Sequence, residues 1–138
     1  MAIAISLSAG TLFAEGNVHK VAVQVNENDL AVMNIALNSV QNLTNHYHSS
    51  GDTVEVEVVT YGPGLNMLID GRSPVADNIA TMSLEMDNLS FAAFGNTRRN
   101  LSAKKGEDIA LLDEANTLPS GLVRLIELQE YGFAYVKP

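Results

Sequence analysis

An α/β fold with a mostly parallel sheet of about five strands is what the sequence predicts, on three observations. Short β-branched or apolar runs alternate with segments whose apolar residues recur at three- and four-residue steps. The breaks between them, SSGD, YGPG and FGNT, carry the turn chemistry of βα and αβ connections. A chain of 138 residues that is 46% hydrophobic and 17% charged, with a mean hydropathy of +0.08, forms one domain. At that length it can bury roughly two thirds of its unfolded surface without a disulfide or metal staple.

KVAVQV (Lys20 to Val25) is the first strand, stopped by the polar NEND. Leu30, Met33, Leu37, Val40, Leu43 and Tyr47 then line one face of a long helix, capped by Asn28 or Asn26, with Asp29 favourable in the first turn and SSGD at its end. In TVEVEVVT, Val54, Val56 and Val58 alternate with Glu55 and Glu57. Two carboxylates on one side place this second strand at an edge, or leave it partly exposed. Gly62-Pro63-Gly64 breaks the chain before a short helix, and Ser73 caps a further helix from Pro74 through Met86. LSFAAF is the third strand, followed by a polar helical segment from Thr97 to Glu107. IALLDEAN holds a fourth strand, and LPSGLVRLIELQEYG a last helix with Leu122, Leu125, Ile126 and Gln129 on one side and Gly132 at its end. FAYVKP closes as a short strand, and no repeat or linker interrupts the chain.

Composition excludes several functions. A net charge of −8 and a pI near 4.6 repel polyanions, which argues against nucleic acid and anionic membranes as partners. With no cysteine there is no disulfide, zinc-thiolate site or thiol nucleophile. The opening MAIAISLSAGTLFAEG has the apolar core of a secretory signal without its basic start. Residues 1–16 are therefore a truncated signal peptide or an apolar tail, and 17–138 the domain. The protein is periplasmic on the first reading and cytoplasmic on the second. No other stretch reaches the ~18 apolar residues that span a bilayer.

In open parallel sheets ligands bind beyond the carboxyl ends of the strands. Three connections matter there: Asn26 to Asp29, Tyr61 to Asn66, and Gly95 to Arg98, each with Gly or Asn to expose backbone N–H groups. The candidate ligand-binding residues are Asn26, Gly62, Gly64, Asn66, Phe94, Gly95, Asn96, Thr97 and Arg98. Four of the eight Lys and Arg residues fall in RRNLSAKK, where Arg98, Arg99, Lys104 and Lys105 either draw in a small anion or form a solvated helix face.

Other constellations carry less. His46 and His48, two apart on a helix, point to different sides and lack a carboxylate at ligand spacing, and His19 has no identifiable partner. There is no G-x-S-x-G, Ser120 in LPSG reads as a helix cap, and GPG lacks the rest of a phosphate loop. Glu55 and Glu57 read as surface charge, and the sequons at Asn42, Asn88 and Asn100 matter only in a glycosylating host. No catalytic constellation, metal or cofactor is expected.

From about His19 to Pro138 the sequence resembles the DsrE/DsrF-like family of small α/β proteins. The likeness rests on the order and spacing of VNEND, VEVVTYGPGLNML, SPVADNIA, FAAFGNT and LPSGLVRLIELQEYGFAYVKP. The resemblance implies a three-layer α/β/α fold and homo-oligomers, commonly dimers, trimers or hexamers. Better-understood relatives carry sulfur as a persulfide on a cysteine that many of them place immediately before the Gly-Asn pair. Here the matching residue is Phe94, and a phenyl ring offers neither nucleophile nor leaving group. Gly62, Gly64, Gly95 and Asn96 carry over as pocket-forming residues, and Phe94 either closes the pocket base or belongs to the core. The expected function is a homo-oligomeric DsrE-like module without thiol chemistry of its own, binding a small anionic ligand or a protein partner. Alternatives are an accessory subunit in sulfur relay whose partner supplies the cysteine, and a purely structural oligomer whose cleft Phe94 shuts. An open pocket beside Gly64, Asn96 and Arg98 would make Asn96→Ala weaken binding.

Overall fold

Five strands form one parallel sheet in the computed structural model, which describes residues 16–138. The N-terminal signal-or-tail segment thus lies outside the described residues, apart from Gly16. The elements run β1 (Val18–Val25), α1 (Leu30–Ser49), β2 (Thr53–Thr60), a 3-10 helix η1 (Gly62–Leu68), α2 (Ala76–Glu85), β3 (Leu89–Phe94), α3 (Gly95–Lys105), β4 (Ala115–Leu118), α4 (Gly121–Glu130) and β5 (Ala134–Val136). The strand order is β4-β3-β2-β1-β5, with β1 and β2 paired from Val18 opposite Thr53 to Val25 opposite Thr60.

That order sets the layers. From β1 to β4 the chain steps one way across the sheet, so right-handed crossovers keep α1, α2 and α3 on a single face. The return from β4 to β5 runs the other way and carries α4 to the opposite face. Two cores result. Val21, Val23 and Val25, Val54, Val56 and Val58, and Phe91 and Ala93 pack under α1, η1 and α2. The alternate residues Ala22, Val59, Ala92 and Phe94 pack under Leu125 and Leu128 of α4. The fold is therefore α/β with helices on both faces, the second covered more thinly.

The sequence left β2 either at an edge or partly exposed, and the structure takes the second course: the strand is central, with Glu55 exposed. Its carboxylates fall on the thinly covered face, where Glu55 is exposed and Glu57 meets Arg124 of α4. The guanidinium donates from Nε to Oε2 and from Nη2 to Oε1, both at 2.7 Å. This planar two-point pairing is what lets a central strand hold a carboxylate. It also raises the Arg124 pKa, chiefly through the hydrogen bonds to Glu57.

Element ends differ in instructive ways. Asp29, not Asn28 or Asn26, caps α1, its Oδ1 accepting from the N–H groups of Ala31 at 2.8 Å and Val32 at 3.2 Å. Met33, Leu37 and Val40 are buried as expected, whereas Leu30 is exposed. Helix α2 starts at Ala76 rather than Pro74: Ser73 Oγ accepts from the N–H of Val75 at 3.3 Å in the turn before the helix, and Val75 stands at the cap position without a side-chain bond. The fourth strand is shorter than IALLDEAN. Ile109 is buried, Leu111 bridges Ile69, and pairing with β3 begins only at Ala115. On α4, Gly121, Leu125 and Leu128 are buried while Leu122 is 70% exposed, with Val123 and Ile126 also exposed. The buried stripe is thus displaced from the expected one.

Candidate functional site

All strands being parallel, the three connections singled out in the sequence lie at one end of the sheet, and they touch. Thr97 Oγ1 accepts from the N–H of Gly62 at 3.1 Å, and Asn66 Nδ2 donates to Asn28 Oδ1 at 2.9 Å. Tyr61 N–H donates to the carbonyl of Val25 at 3.2 Å. Gly64 sits flush on the end of β1: a Cβ there would lie 2.1 Å from the Val25 carbonyl oxygen. Only glycine permits so close an approach of η1 to the strand.

A cleft of about 480 Å³ opens between η1 and α3, lined by Asn28, Gly62, Pro63, Leu65, Asn66, Ile69, Arg72, Thr97, Asn100, Leu101, Lys104 and Lys105. One wall is a stripe of α3, since Thr97, Asn100, Leu101, Lys104 and Lys105 recur at helical spacing. The stripe starts where Thr97 is tied to Gly62 and ends at the lysines, about 10 Å further along the axis at 1.5 Å per residue. Gly106, at φ 70°, stops the helix just beyond them.

The charge distribution is sharply uneven. The chain has twice as many acidic as basic residues, 16 against 8, yet among the described residues no acidic one lines this cleft and three basic ones do. Among the described residues Arg72, Lys104 and Lys105 make no ion pair, whereas Arg98 and Arg124 are paired with Asp108 and Glu57. The charged side chains that line the cleft among the described residues are all cationic, so it can attract an anion.

The sequence-predicted residues divide accordingly. Gly62, Asn66 and Thr97 line the cleft. Gly64 is buried behind its wall, and Asn26 lies behind Gly64. Phe94, 3% exposed, is a core residue: its ring fills the space a side chain at Gly121 would need and stacks on Tyr61 at 5.3 Å. Gly95 and Asn96 are not a loop but the first turn of α3. Gly95 and Arg98, with Arg99, Ser102, Asp108 and Thr117, line a second hollow where β3 and β4 send their connections to opposite faces. There the guanidinium groups are engaged, Arg98 with the Ile109 carbonyl at 2.7 Å and Arg99 with the exposed Asn96. Among the described residues no opening is bordered jointly by Gly64, Asn96 and Arg98: Gly64 is buried, Asn96 is exposed in the first turn of α3, and Arg98 lines the second hollow.

Of the four cations in RRNLSAKK, then, only the lysines line the cleft, together with Asn100 and Leu101 of the same segment. Their helical step from Thr97 was readable, and Asn28 lies within the Asn26 to Asp29 connection already singled out; Arg72 had no such signal. His19 does have a partner. Its Nε2 lies 2.8 Å from Asp52 Oδ2, and its ring stacks on Tyr47 with centroids 3.7 Å apart. The hydrogen bond from His19, then that from the Asn17 N–H, holds the Asp52 carboxyl below its ordinary pKa. His46 and His48 are exposed, and no group of three or more metal-ligating side chains occurs among the described residues. Nor is any described helix long and apolar enough to cross a membrane.

Comparison with solved structures finds a likeness to MTH1491 from Methanobacterium thermoautotrophicum, a protein of unknown function. The two share 26% sequence identity and a TM-score of 0.74, over 87% of this chain and 99% of that one. The two chains have the same fold. No protein-family model matches the sequence, and no curated protein matches it.

Proposed function

We propose that this chain is a DsrE/F-like homo-oligomeric binding module, without thiol chemistry of its own, whose η1–α3 cleft takes a small anionic ligand. The observation that carries the reading is the gathering of Arg72, Lys104 and Lys105 around a cleft in a chain of net charge −8, where among the described residues none of the three makes an ion pair and no acidic residue lines the walls. A local positive field in an acidic protein favours small anions, which can enter, over polyanions, which the rest of the surface repels. The exposed apolar side chains Leu122, Val123 and Ile126 on α4 support assembly with further copies.

Native mass spectrometry with calorimetry tests both parts. Inorganic phosphate should bind once per chain, more weakly at higher salt, and an oligomer mass should appear. The Lys104→Glu/Lys105→Glu variant should lose about tenfold in phosphate affinity, roughly 1.4 kcal/mol. Asn96→Ala, which alters a residue outside the cleft, should bind like the parent. Equal affinity of the parent and the charge-reversed variant would dismiss the cleft, and a monomer mass alone would dismiss the assembly.

A further inference from the structure

The cleft holds more than an anion needs. An inorganic anion is served by cations and N–H groups and is otherwise best left hydrated, yet the walls here are mostly apolar. Leu65 and Ile69, both buried, form the floor, and half-buried Leu101 stands on α3 between the Thr97 end of the stripe and the lysines. Pro63 is exposed on the facing wall. The long methylene stems of Arg72, Lys104 and Lys105 add carbon surface beneath their charges. Polar, apolar and cationic positions thus follow one another along α3, and a compact inorganic ion would leave the middle of the cleft wet and unmatched.

We propose that the ligand is a small amphipathic anion, a carboxylate or phosphate head joined to a short apolar body. The head meets the Lys104, Lys105 and Arg72 charges, and the body lies over Leu101, Leu65 and Pro63. This rests on the reading of the cleft as an anion site and narrows it. Apolar lining with a few placed polar groups is the usual composition of small-molecule pockets, and about 480 Å³ is within their range. Tail burial adds affinity with each methylene, about twofold to fourfold depending on how completely it leaves water.

Calorimetric titration of the full chain with inorganic phosphate, butyl phosphate, hexyl phosphate, octanoate and hexanol separates the two readings. The expected result is affinity rising from inorganic to butyl to hexyl phosphate, at least about tenfold overall, with hexanol weaker than hexyl phosphate by a similar factor. Octanoate binding alongside hexyl phosphate assigns a carboxylate-tolerant head site; binding of the alkyl phosphates alone assigns a phosphate head. Leu101→Asn should flatten the chain-length series while keeping inorganic phosphate binding. Because Leu101 also touches the core, the exposed Pro63→Ser change provides a second probe of the same slope. If inorganic phosphate binds as tightly as hexyl phosphate, the amphipathic ligand is refuted and the anion site stands. Hexanol binding as tightly as hexyl phosphate, or no binding by any probe, refutes both.

Discussion

Glu57 and Arg124 are where single residues decide most. The Glu57 side chain is only 12% exposed, in a central strand, and its carboxylate is satisfied by one guanidinium that is itself 29% exposed. Breaking such a pair costs more than making it yields, because it leaves a mostly buried carboxylate without its hydrogen-bonded counter-charge. Arg124→Met should therefore lower unfolding free energy by about 2–3 kcal/mol, discounted from a fully buried pair because the arginine is partly solvated. Glu57→Leu combined with Arg124→Met should return to within about 1 kcal/mol of the parent, since no charge then remains to be matched. Urea denaturation of the three proteins decides this. A single variant as stable as the parent would mean that water already screens Glu57. From the sequence, Glu55 and Glu57 looked alike. Their difference arises from α4, 67 positions away along the chain from Glu57, and local alternation carries no record of so distant a neighbour.

At the scale of elements, what was readable followed periodicity, and what was not depended on a choice between adjacent groups. The apolar steps of α1 and the β-branched runs of β1 and β2 predicted their elements because burial enforces those periods. Its cap was harder, since Asn26, Asn28 and Asp29 all carry side chains able to accept the first N–H groups. Asp29 takes the position, which frees Asn28 to pair with Asn66 beside the cleft. Asp29→Ala should cost about 1 kcal/mol of stability in chemical denaturation, and Asn28→Ala much less. Equal losses would place the cap elsewhere. The start of α3 was missed for a related reason: Gly95 and Asn96 are turn residues by habit, but the preceding Phe94 ends its strand and enters the helix without a side-chain cap. The site shifted accordingly, from the tip of that helix to a stripe along its side.

For the molecule as a whole, the alternation of strand and helix was enough for the fold class, and the strand order was not. Direction and handedness place α1, α2 and α3 together, but nothing local states that the chain turns back after β4 to lay β5 beside β1. That reversal explains both the central position of β2 and the thin cover on its second face. The three strand-end connections meet for a different reason: β1, β2 and β3 are adjacent and parallel, which delivers their carboxyl ends to one rim.

The return of the chain to β1 bears on how the protein leaves the ribosome. While residues up to Leu118 are emerging, β1 has an open flank and Glu57 has no counter-charge, because both are supplied by the stretch that includes α4 and β5. Residues 119–138 supply both the strand that covers β1 and the counter-charge of Glu57, so the first four strands alone should not make a settled structure. A fragment stopping at Leu118 should show little sheet signal by circular dichroism, and a synthetic peptide covering residues 119–138 should restore it. A fragment that folds unaided would show that closure is not the decisive event.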